Sequence, residues 1–558
     1  MKDKLSKDFI EKAIAAFDKY KADKQELNRR VMENDSWYKA RYARIINPAS
    51  NEAEPVTAFI FSAIENKFAD AIDNYPVPNV LGREPSDRNL SELLTGLLPV
   101  QMEMSDFKRA YKINWRRKLK HGTGIYGVFY QGGKIKICPL SILNVYCDMH
   151  VGDVQDSPFL FIVNAVDNSE LKKMYPQYER LFTGNANIEG FDGVQEAQDK
   201  TQITDCYYKK DGKVHCMKLC AGEVIAATEL RGYPNGLYSH GKYPVVFDAM
   251  YPEEDCPFGF GVIDIAKNPQ IYIDRLDGAI VKNAVLTSKI RFMIKDNGAV
   301  NEEEVIDCDN DIIHVAGSVD TDSIRELKTD SMPAYVLNHR SKKIDELKEI
   351  VGNRDFQQGG THNGVTAASA ITALQEAGSK LSRASIDDAY ECYKQIVIMV
   401  IELIREFFTK ERIVRICGDG IKPKYEKFSS KLMYRQGNIR EPIEFDIDIV
   451  PQKQNPFQRE TNNSTIIQLW QAGFFKPEMC NMSVIALEAM HFDGKDRIID
   501  RLTEIAREQS SVKAALNGAA TDDKLVPVEE TAKDALMSSQ NNTNQDKAND
   551  IRVSKEAE

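Results

Sequence analysis

One stretch of this 558-residue chain constrains its fold more than any other, because a polar, glycine-marked segment runs directly into a long helical pattern. The last six residues of the segment Gly352–Gly364 include three glycines, which give the backbone unusual freedom. Apolar residues then recur at three- and four-residue steps, which predicts a one-sided helix capped by Thr366. Continued to Thr409, this helix would measure roughly 66 Å, and Gly378 is where we expect it to bend. The stretch predicts a loop at one end of a long rod.

The composition limits the classes of function that the chain can have. Hydrophobic residues make up 42% and charged residues 28%, as in ordinary soluble proteins. The net charge of −11 does not favour bulk attraction to nucleic acid or to an anionic membrane. The ten cysteines are scattered without a CxxC pair, which is typical of reduced thiols. The N-terminus lacks an apolar signal core, and Glu402 and Arg405 interrupt the most apolar run, so we expect a soluble intracellular protein without membrane contact.

The first half of the chain changes from helical to strand patterns near residue 121. The first 120 residues are predicted to be helical, with a helix opened by Pro55 and ended by Tyr75–Pro78, and a later one interrupted at Pro99. Alternating patterns from about 121 to 250 then predict a β subdomain. It begins with a hairpin that turns at Gly132-Gly133.

The second half is predicted to place two helices on either side of a small β tip. A helix is predicted from about Gln270 to Leu286, started by Asn268 and Pro269, and strands are predicted at 291–294 and 311–315. A second helix is predicted to begin at Pro333 and to end with Gly352 as its C-cap. Strands at 413–417 and 443–450 and helices between 459 and 507 are predicted to follow. The last forty residues hold few large apolar groups and are expected to be disordered.

Two glycine motifs resemble nucleotide-binding loops without meeting their requirements. Gly359–Thr366 has the spacing of a phosphate loop, but Val365 stands where that loop needs lysine. Gly122–Gly127 matches GxGxxG, yet it follows a basic helix and precedes a strand, the reverse of the order that dinucleotide binding requires. We interpret the second motif as a turn and expect no nucleotide cofactor.

Carboxylates gather at two places that could in principle hold a metal ion. Asp148, His150, Asp153 and Asp156 share one loop, but such residues favour turns anyway, and a solvated loop is the favoured interpretation. Asp446 and Asp448 alternate on one predicted strand and so share a face, which a solvent-facing edge explains equally well. Without a HExxH, GxSxG or Ser-His-Asp pattern, we predict no catalytic residues, no metal site and no enzyme.

The densest basic run lies between Lys108 and Lys120, with Tyr111 and Trp115 interleaved. Contact with phosphates is one interpretation. A solvated face or an ion-pair surface between subunits is the favoured one, because charge runs usually do only that.

A family resemblance rests on five stretches: 257–276, 291–315, 333–351, 359–376 and 445–450. Their order of helix, small β tip, helix, polar glycine loop and long helix resembles the portal (head–tail connector) proteins of tailed bacteriophages. The resemblance covers roughly residues 30 to 510 and is most specific in the loop and the helix that follows it.

The resemblance implies an α+β, portal-like subunit with a helical wing, a β subdomain, a two-helix stem, a small β clip, a long helix behind a tunnel loop, and a helical crown. The implied bounds are 1–265 for the wing with its β subdomain at about 121–250, 266–290 for the first stem helix, 291–330 for the clip, 331–356 for the second stem helix, 357–366 for the tunnel loop, 367–458 for the long helix and return to the wing, 459–515 for the crown, and 516–558 for a disordered tail.

It also implies a homo-oligomeric ring, usually of twelve copies, at one capsid vertex of the virion, assembled in the host cytoplasm. Double-stranded DNA would pass through the ring during packaging and ejection. The implied partners are the terminase large subunit, a head-completion or adaptor protein, and the major capsid and scaffold proteins. The implied DNA-tunnel residues are Gln357, Gln358, Gly359, Gly360, Thr361, His362, Asn363 and Gly364, and the implied terminase-docking residues of the clip are Asp296, Asn297, Gly298, Glu302, Glu303 and Glu304.

Two alternatives compete with this interpretation. Another virion structural protein, such as an adaptor or minor head protein, would usually be shorter and lack two helices around a β tip. A metal-dependent packaging nuclease would need clustered carboxylates on a buried strand. Chain length and the order of elements favour the portal interpretation.

Overall fold

The chain divides into two compact units, residues 1–454 and 455–558. A computed structural model describes residues 6–42, 55–182, 184, 186–190, 193–229, 233, 236–288, 291–294, 324–327, 330–352, 380–416, 424–435 and 441–453 of the first unit, and short pieces between 464 and 507 of the second. Helices and strands both make up large parts of these residues, so the α+β class is confirmed at that level.

Most described helices of the first unit come before or after a region rich in strands, and one short helix lies within that region. Among the described residues they are α1 (Lys7–Asp23), α2 (Gln25–Tyr38), α3 (Phe59–Asp73), α4 (Arg88–Met104), α5 (Phe107–His121), α6 (Asn168–Met174), α7 (Val262–Ser288), α8 (Ala334–Val351) and α9 (Lys380–Phe407). Within this part of the chain, no helix is both long and apolar enough to cross a membrane.

The described strands form small antiparallel sheets. They are β1 (Asn74–Gly82), β2 (Thr123–Gln131), β3 (Lys134–Leu140), β4 (Val145–Tyr146), β5 (Phe159–Asp167), β6 (Ala186–Gly190), β7 (Gly193–Ala197), β8 (Lys200–Lys210), β9 (Lys213–Cys220), β10 (Glu223–Ala227), β11 (Val245–Ala249), β12 (Tyr251–Glu253), β13 (Cys256–Phe260), β14 (Arg291–Ile294), β15 (Ile324–Leu327), β16 (Arg412–Ile416), β17 (Lys424–Phe428) and β18 (Phe445–Lys453). The largest sheet has the order β10-β9-β8-β5-β4, and a second has the order β11-β2-β3. Two-stranded ribbons join β1 to β18 and β14 to β15.

The core of the first unit is built around α5 and α9. Tyr111, Trp115 and Leu119 of α5 are buried at four-residue steps, and Val397 and Ile404 of α9 belong to the same apolar cluster. Such spacing places these side chains on one stripe of each helix, so burial of that stripe holds the two helices in the core.

Several predicted turns and helix ends are confirmed. Gly132 and Gly133 both have positive φ, 60° and 80°, and connect β2 to β3 as the hairpin prediction required. Pro333 precedes α8, and Gly352 ends it with φ 76° in the left-handed region. A residue without a Cβ takes that conformation at little cost, which is why glycine ends the helix there.

Two predictions about prolines are wrong, and one is confirmed. α3 ends at Asp73, so Tyr75–Pro78 does stop that helix as predicted. The first 120 residues are nevertheless not all helical, because Pro76 and Pro78 lie within strand β1, which pairs with β18. Pro99 lies inside α4, and the break falls instead after Ser105, where Asp106 takes a left-handed φ of 57°. Pro269 lies inside α7, which begins at Val262 rather than near Gln270. In α4 and α7, buried residues on both sides of the proline keep the helix continuous.

The strand patterns elsewhere are largely confirmed, and the structure adds strands that had not been predicted. β14 pairs with the unpredicted β15, and β16 pairs with the unpredicted β17. The strands β6, β7, β11, β12 and β13 had not been predicted either. The predicted strand at 311–315, the bend at Gly378 and the C-terminal tail lie outside the described residues.

The second unit is described only in short helical pieces, which agree with the helices predicted between 459 and 507. Its apolar cluster contains Leu469, Leu487 and Leu502.

Candidate functional site: the α7–α8 helix pair

Helices α7 and α8 form a pair that is held by a charged contact. The Arg340 guanidinium donates to both carboxylate oxygens of Asp277, with Nη2 at 3.0 Å from Oδ2. Asp277 raises the pKa of Arg340, since hydrogen bonding to the carboxylate favours the charged guanidinium. Further along α7, the Asn283 amide donates to the carbonyl oxygen of Asp330 at 3.3 Å, just before α8 begins. Two-pronged contacts of this kind fix orientation as well as distance.

One turn earlier on α7, a buried carboxylate ties the helix to the N-terminal part of the chain. Asp274 accepts hydrogen bonds from the Tyr42 hydroxyl at 2.6 Å, from the Thr57 hydroxyl at 2.7 Å and from the Thr57 amide at 3.0 Å. The Gln270 side-chain amide also donates to Asp274, at 3.1 Å. Burial and the neighbouring Asp274 charge raise the pKa of Tyr42, so the phenol stays a donor. A carboxylate with this many donors is well satisfied away from water.

A short ribbon lies at the far end of the helix pair. β14 follows α7 and pairs with β15, which precedes α8, and the last pair of the ribbon is Ile294 with Ile324. Ile294 and Ile324, the described residues on either side of the segment 295–323, are therefore held next to each other. The predicted clip residues Asp296, Asn297, Gly298, Glu302, Glu303 and Glu304 all fall in that segment, outside the described residues.

Large apolar side chains of α7 are exposed on more than one side of the helix. Tyr272 is 55% exposed, and Ile265, seven residues earlier, lies on the same side at about 100° per residue. Val281 comes nine residues after Tyr272 and so projects from the opposite side, together with Val285. On α8, Tyr335 is 72% exposed. The helix pair thus presents large apolar side chains to solvent on two sides of α7 and on α8.

The long helix α9 is anchored to the core by a buried ion pair. The Lys118 ammonium of α5 donates to the Asp248 carboxylate of β11 and, at 3.0 Å, to the carbonyl oxygen of Ser385 in α9. Burial raises the pKa of Asp248, and the neighbouring Lys118 charge opposes that rise. The predicted tunnel residues 357–364 fall between Gly352 and Lys380, outside the described residues, so the structure describes the helices before and after the loop.

The basic run of α5 is used largely within the subunit. Arg116 pairs with Glu65 at 3.1 Å, Lys120 pairs with Asp35 at 2.8 Å, and Lys118 is the buried partner of Asp248. These ion pairs lie inside one chain, so they differ from the predicted ion-pair surface between subunits. Cations that are already paired with carboxylates of the same chain are poorly available to bind a phosphate.

The carboxylates of the two candidate metal sites accept hydrogen bonds within the chain, local ones in the loop at 148–156 and, on strand β18, a long-range one from Arg83. Asp148 accepts from the His150 amide at 3.0 Å, and Asp153 accepts from the Gln155 amide at 2.9 Å, as expected of turns. Asp446 and Asp448 are exposed, and Asp446 accepts from the Arg83 guanidinium at 2.9 Å. Within the described part of the chain, no group of three or more His, Cys, Asp or Glu side chains could hold a metal ion. The solvated interpretation is therefore favoured at both places.

The GxGxxG motif has a structural role. Gly122 ends α5 with φ 92°, and a Cβ there would lie 2.3 Å from the carbonyl oxygen of Gly259. Gly124 and Gly127 lie in β2. Only Gly122 lies at the predicted turn. Glycine is needed there because the backbone of β13 approaches too closely to leave room for a Cβ.

The sequence reasoning missed the residues that position the helix pair. Asp274 and Asp277 lie three apart on α7, a spacing that puts both carboxylates on one face. That spacing could have marked them, but their partners Tyr42 and Arg340 are distant in sequence and no local pattern identifies them.

Comparison with known proteins places this architecture in a family. The family profile described as Phage P22-like portal protein matches residues 60–244 and 260–551, which is most of the chain. A curated portal protein of Helicobacter pylori bacteriophage KHP30 is 19% identical over 400 residues, covering 70% of this chain and 64% of that relative. The chain thus aligns with somewhat less than two thirds of the relative's length. Proteins of this family are structural phage components rather than enzymes. The chain therefore belongs to the P22-like family of phage portal proteins.

Proposed function

We propose that the chain is the subunit of a ring at one vertex of a phage capsid, through which double-stranded DNA is packaged and ejected. Family membership supports a role in the capsid. The ring, the DNA conduit and the assembly in the host cytoplasm are parts of the proposal. The subunit number is expected to be twelve.

The observation that carries the proposal is the exposure of apolar residues on two sides of α7 and on α8. A two-fold dimer uses one self-complementary patch, whereas a closed ring needs two different patches that fit one another. Tyr272 and Val281 lie on opposite sides of α7, so each side can meet a different neighbouring copy. Apolar residues on both sides are what a ring of laterally packed helix pairs requires.

Within this proposal, the parts of the subunit have separate tasks. Residues 266–290 and 331–356, which include most of α7 and all of α8, form the stem, residues 291–330 form the clip, and residues 1–265 form the wing. Residues 357–366 are the tunnel loop, 459–515 the crown, and the clip residues Asp296–Gly298 and Glu302–Glu304 are the docking site of the terminase large subunit. Head-completion or adaptor proteins bind the ring after packaging, and capsid and scaffold proteins contact the wing.

The charge of the chain agrees with a conduit. Twelve copies with a net charge of −11 each would carry about −132, so the ring would repel DNA phosphates overall. The loop residues Gln357–Asn363 are mostly neutral and polar, so they can contact DNA without the strong, salt-dependent binding to phosphates that a surface rich in Lys and Arg would give. A conduit that releases its cargo benefits from both properties.

The first test is the mass and symmetry of the protein, expressed alone and with the scaffold protein of the same phage. Native mass spectrometry and class averages of particles are expected to give a closed ring of about twelve copies. A protein that stays monomeric or dimeric under both conditions would overturn the proposal.

Variants separate the proposed interface from general surface effects. Tyr272→Asp and Tyr335→Asp each place a charge on the exposed helix pair and are expected to prevent ring closure while the monomer remains folded. Met174→Asp, on α6 and 52% exposed, is the matched control and is expected to leave the ring intact. If the stem variants assemble as well as the control, α7 and α8 are not the interface.

The tunnel loop has its own test. Replacing Gln357–Asn363 with a Gly-Ser linker is expected to impair packaging or retention of DNA in particles whose rings still assemble. Unchanged packaging and retention would exclude the loop as the narrow part of the tunnel.

A further inference from the structure

Helices α5 and α9 contact each other in opposite directions through one face of each helix. The Phe107 ring at the start of α5 lies 5.0 Å from the Tyr393 ring of α9, measured between centroids. Near the other end of α5, the Lys118 ammonium donates to the Ser385 carbonyl oxygen at 3.0 Å. All four residues are buried. The remaining side of each helix is therefore turned away from the other helix.

The outward side of α5 carries positive charges that the chain does not neutralise. Arg109 and Lys112 lie nine and six residues before Lys118, so at about 100° per residue they project away from α9. Arg109 is exposed and Lys112 is partly exposed. In the part of the chain that the structure describes, their side chains form neither an ion pair nor a hydrogen bond. Lys108, whose ammonium lies 5.8 Å from the centre of the Tyr75 ring, adds a third positive charge.

The outward side of α9 carries exposed carboxylates. Glu391 and Asp387 lie two and six residues before Tyr393, so they project away from α5. Both are exposed, as is Asp388. Among the described residues, the two aspartates have no ion pair, and Glu391 has only Lys394 of the same helix, at 3.9 Å. The two helices thus present cations on one side of the pair and carboxylates on the opposite side.

The order of charges along these two outward sides is complementary. From the residue before α5 onwards, one carboxylate is followed by two cations at three-residue steps, Asp106, Arg109 and Lys112. Towards the start of α9, one cation is followed by two carboxylates, Lys394, Glu391 and Asp387. At 1.5 Å per residue the first set spans about 9 Å and the second about 10.5 Å. Antiparallel approach of the two sides would therefore bring unlike charges together at three successive positions.

We propose that the outward side of α5 in one copy of the chain binds the outward side of α9 in the next copy, with Arg109 and Lys112 against Glu391 and Asp387. Because the two sides face opposite directions, the contact is head-to-tail, whereas a two-fold dimer would need both at one interface. Phosphates of DNA would use the cations but would leave the carboxylates without a role. The inference rests on the proposed ring and adds a charged contact to the apolar one at α7 and α8.

Carbodiimide crosslinking of the full chain tests this contact directly, because the reagent joins a lysine amine to a carboxylate that it touches. Isotope-labelled and unlabelled copies are mixed while dilute, concentrated so that they assemble, and then crosslinked and digested. Mass spectrometry is expected to find Lys112 joined to Asp387 or Glu391 in products that combine a labelled and an unlabelled peptide. Absence of such mixed products would overturn the proposal.

Charge reversal gives a second test with a built-in rescue. Arg109→Glu with Lys112→Glu is expected to raise the concentration at which half of the protein is assembled by roughly tenfold, because like charges would then face each other. Adding Asp387→Lys and Glu391→Lys to the same chain restores unlike charges and is expected to return that concentration to within about threefold of the wild type. A fourfold variant that assembles no better than the first variant would refute the pairing.

A matched control and a DNA-binding measurement accompany these variants. Lys19→Glu with Lys21→Glu changes the net charge by the same amount on the exposed side of α1 and is expected to assemble like the wild type. If Arg109→Glu with Lys112→Glu assembles normally but binds a labelled DNA duplex less tightly, the cations serve phosphates and the proposal is wrong.

The outcomes also separate this contact from the proposed ring. Closed rings without mixed α5–α9 crosslinks would support the ring and overturn the contact. Open chains of copies that carry those crosslinks would support the contact and overturn the closed ring.

Discussion

Replacing Lys118 by methionine removes the cation that faces the buried carboxylate of Asp248. Both side chains are almost fully buried, with 0% and 3% of their surface exposed. Removing one partner of a buried ion pair leaves the other charge without compensation and typically costs about 3–5 kcal/mol of stability. The variant also loses the 3.0 Å hydrogen bond from Lys118 to the Ser385 carbonyl, so the start of α9 is expected to loosen. We expect a loss near the upper end of that range.

The loss should depend on pH in a defined direction. Burial raises the pKa of Asp248, and Lys118 opposes the rise, so the pKa should rise further in Lys118→Met. Between the ordinary carboxyl pKa and the raised one, the folded state holds a proton that the unfolded state has released. Stability then falls as pH increases. The deficit of the variant relative to the wild type should therefore be larger at about pH 8 than at about pH 5.

Urea unfolding followed by Trp115 fluorescence measures this effect, because the Trp115 ring lies 4.7 Å from the Lys118 ammonium. Substituting Trp37 and Trp470 by phenylalanine leaves Trp115 as the reporter. Lys12→Met, on the exposed surface of α1, is the control and should change stability by less than about 0.5 kcal/mol. The apolar double variant Lys118→Met with Asp248→Leu should recover most of the loss. A loss below about 1 kcal/mol for Lys118→Met, or one that is equal at both pH values, would refute the reasoning.

Three further predictions follow from individual contacts. Gly122→Ala should cost about 2–4 kcal/mol, because its positive φ is unfavourable for alanine and its Cβ would lie 2.3 Å from the Gly259 carbonyl oxygen. Gly133→Ala, with positive φ but open space around it, should cost only about 1 kcal/mol, and similar melting temperatures for the two would contradict this account. Arg340→Lys should lose the two-pronged contact with Asp277 and speed hydrogen exchange in α8, whereas unchanged exchange would show that the pair does not hold the helices. Asp446→Asn should leave calorimetric titration with magnesium unchanged and featureless, and a wild-type binding signal that disappears in the variant would revive the nuclease alternative.

Local turn chemistry made part of the fold predictable. Gly132-Gly133 and Gly352 stand where the backbone takes positive φ, and glycine tolerates that conformation with little penalty. Pro333 stands just before α8, in agreement with the restricted φ of proline. Such turns and helix ends depend on one or two residues and their own backbone conformation, so they can be predicted without knowledge of the tertiary structure.

The sequence rule that proline breaks a helix or strand gave wrong predictions inside these elements, because burial of the neighbouring side chains outweighs the local cost of the proline. Leu97, Leu98 and Met102 are buried on both sides of Pro99, and the packing of α4 compensates for the missing amide hydrogen bond. The ribbon of β1 and β18 brings Pro76 opposite Pro451, a pairing that no local pattern predicts. Long-range contacts such as that of Arg340 with Asp277 could not be predicted either, because no local pattern indicates them.

The candidate site was predictable in outline but not in its residues. The two helices around a short β ribbon were predicted, and α7, β14, β15 and α8 confirm that order. The residues that hold the helices, Asp274 and Asp277 among them, were missed because their partners Tyr42 and Arg340 are distant in sequence. The loop and clip residues remain predictions.

The pairing of β1 with β18 also has a consequence for how the chain matures on the ribosome. The ribbon joins residues 74–82 to residues 445–453, so about 360 residues must be synthesised between its two strands. At 5–20 residues per second, the first strand waits roughly 18–72 s for its partner. During that interval the apolar faces of α3 and α4, which pack near β1, lack part of their cover. Completion of the first unit is thus tied to its last strand, and chains interrupted before residue 445 should depend on chaperones to remain soluble.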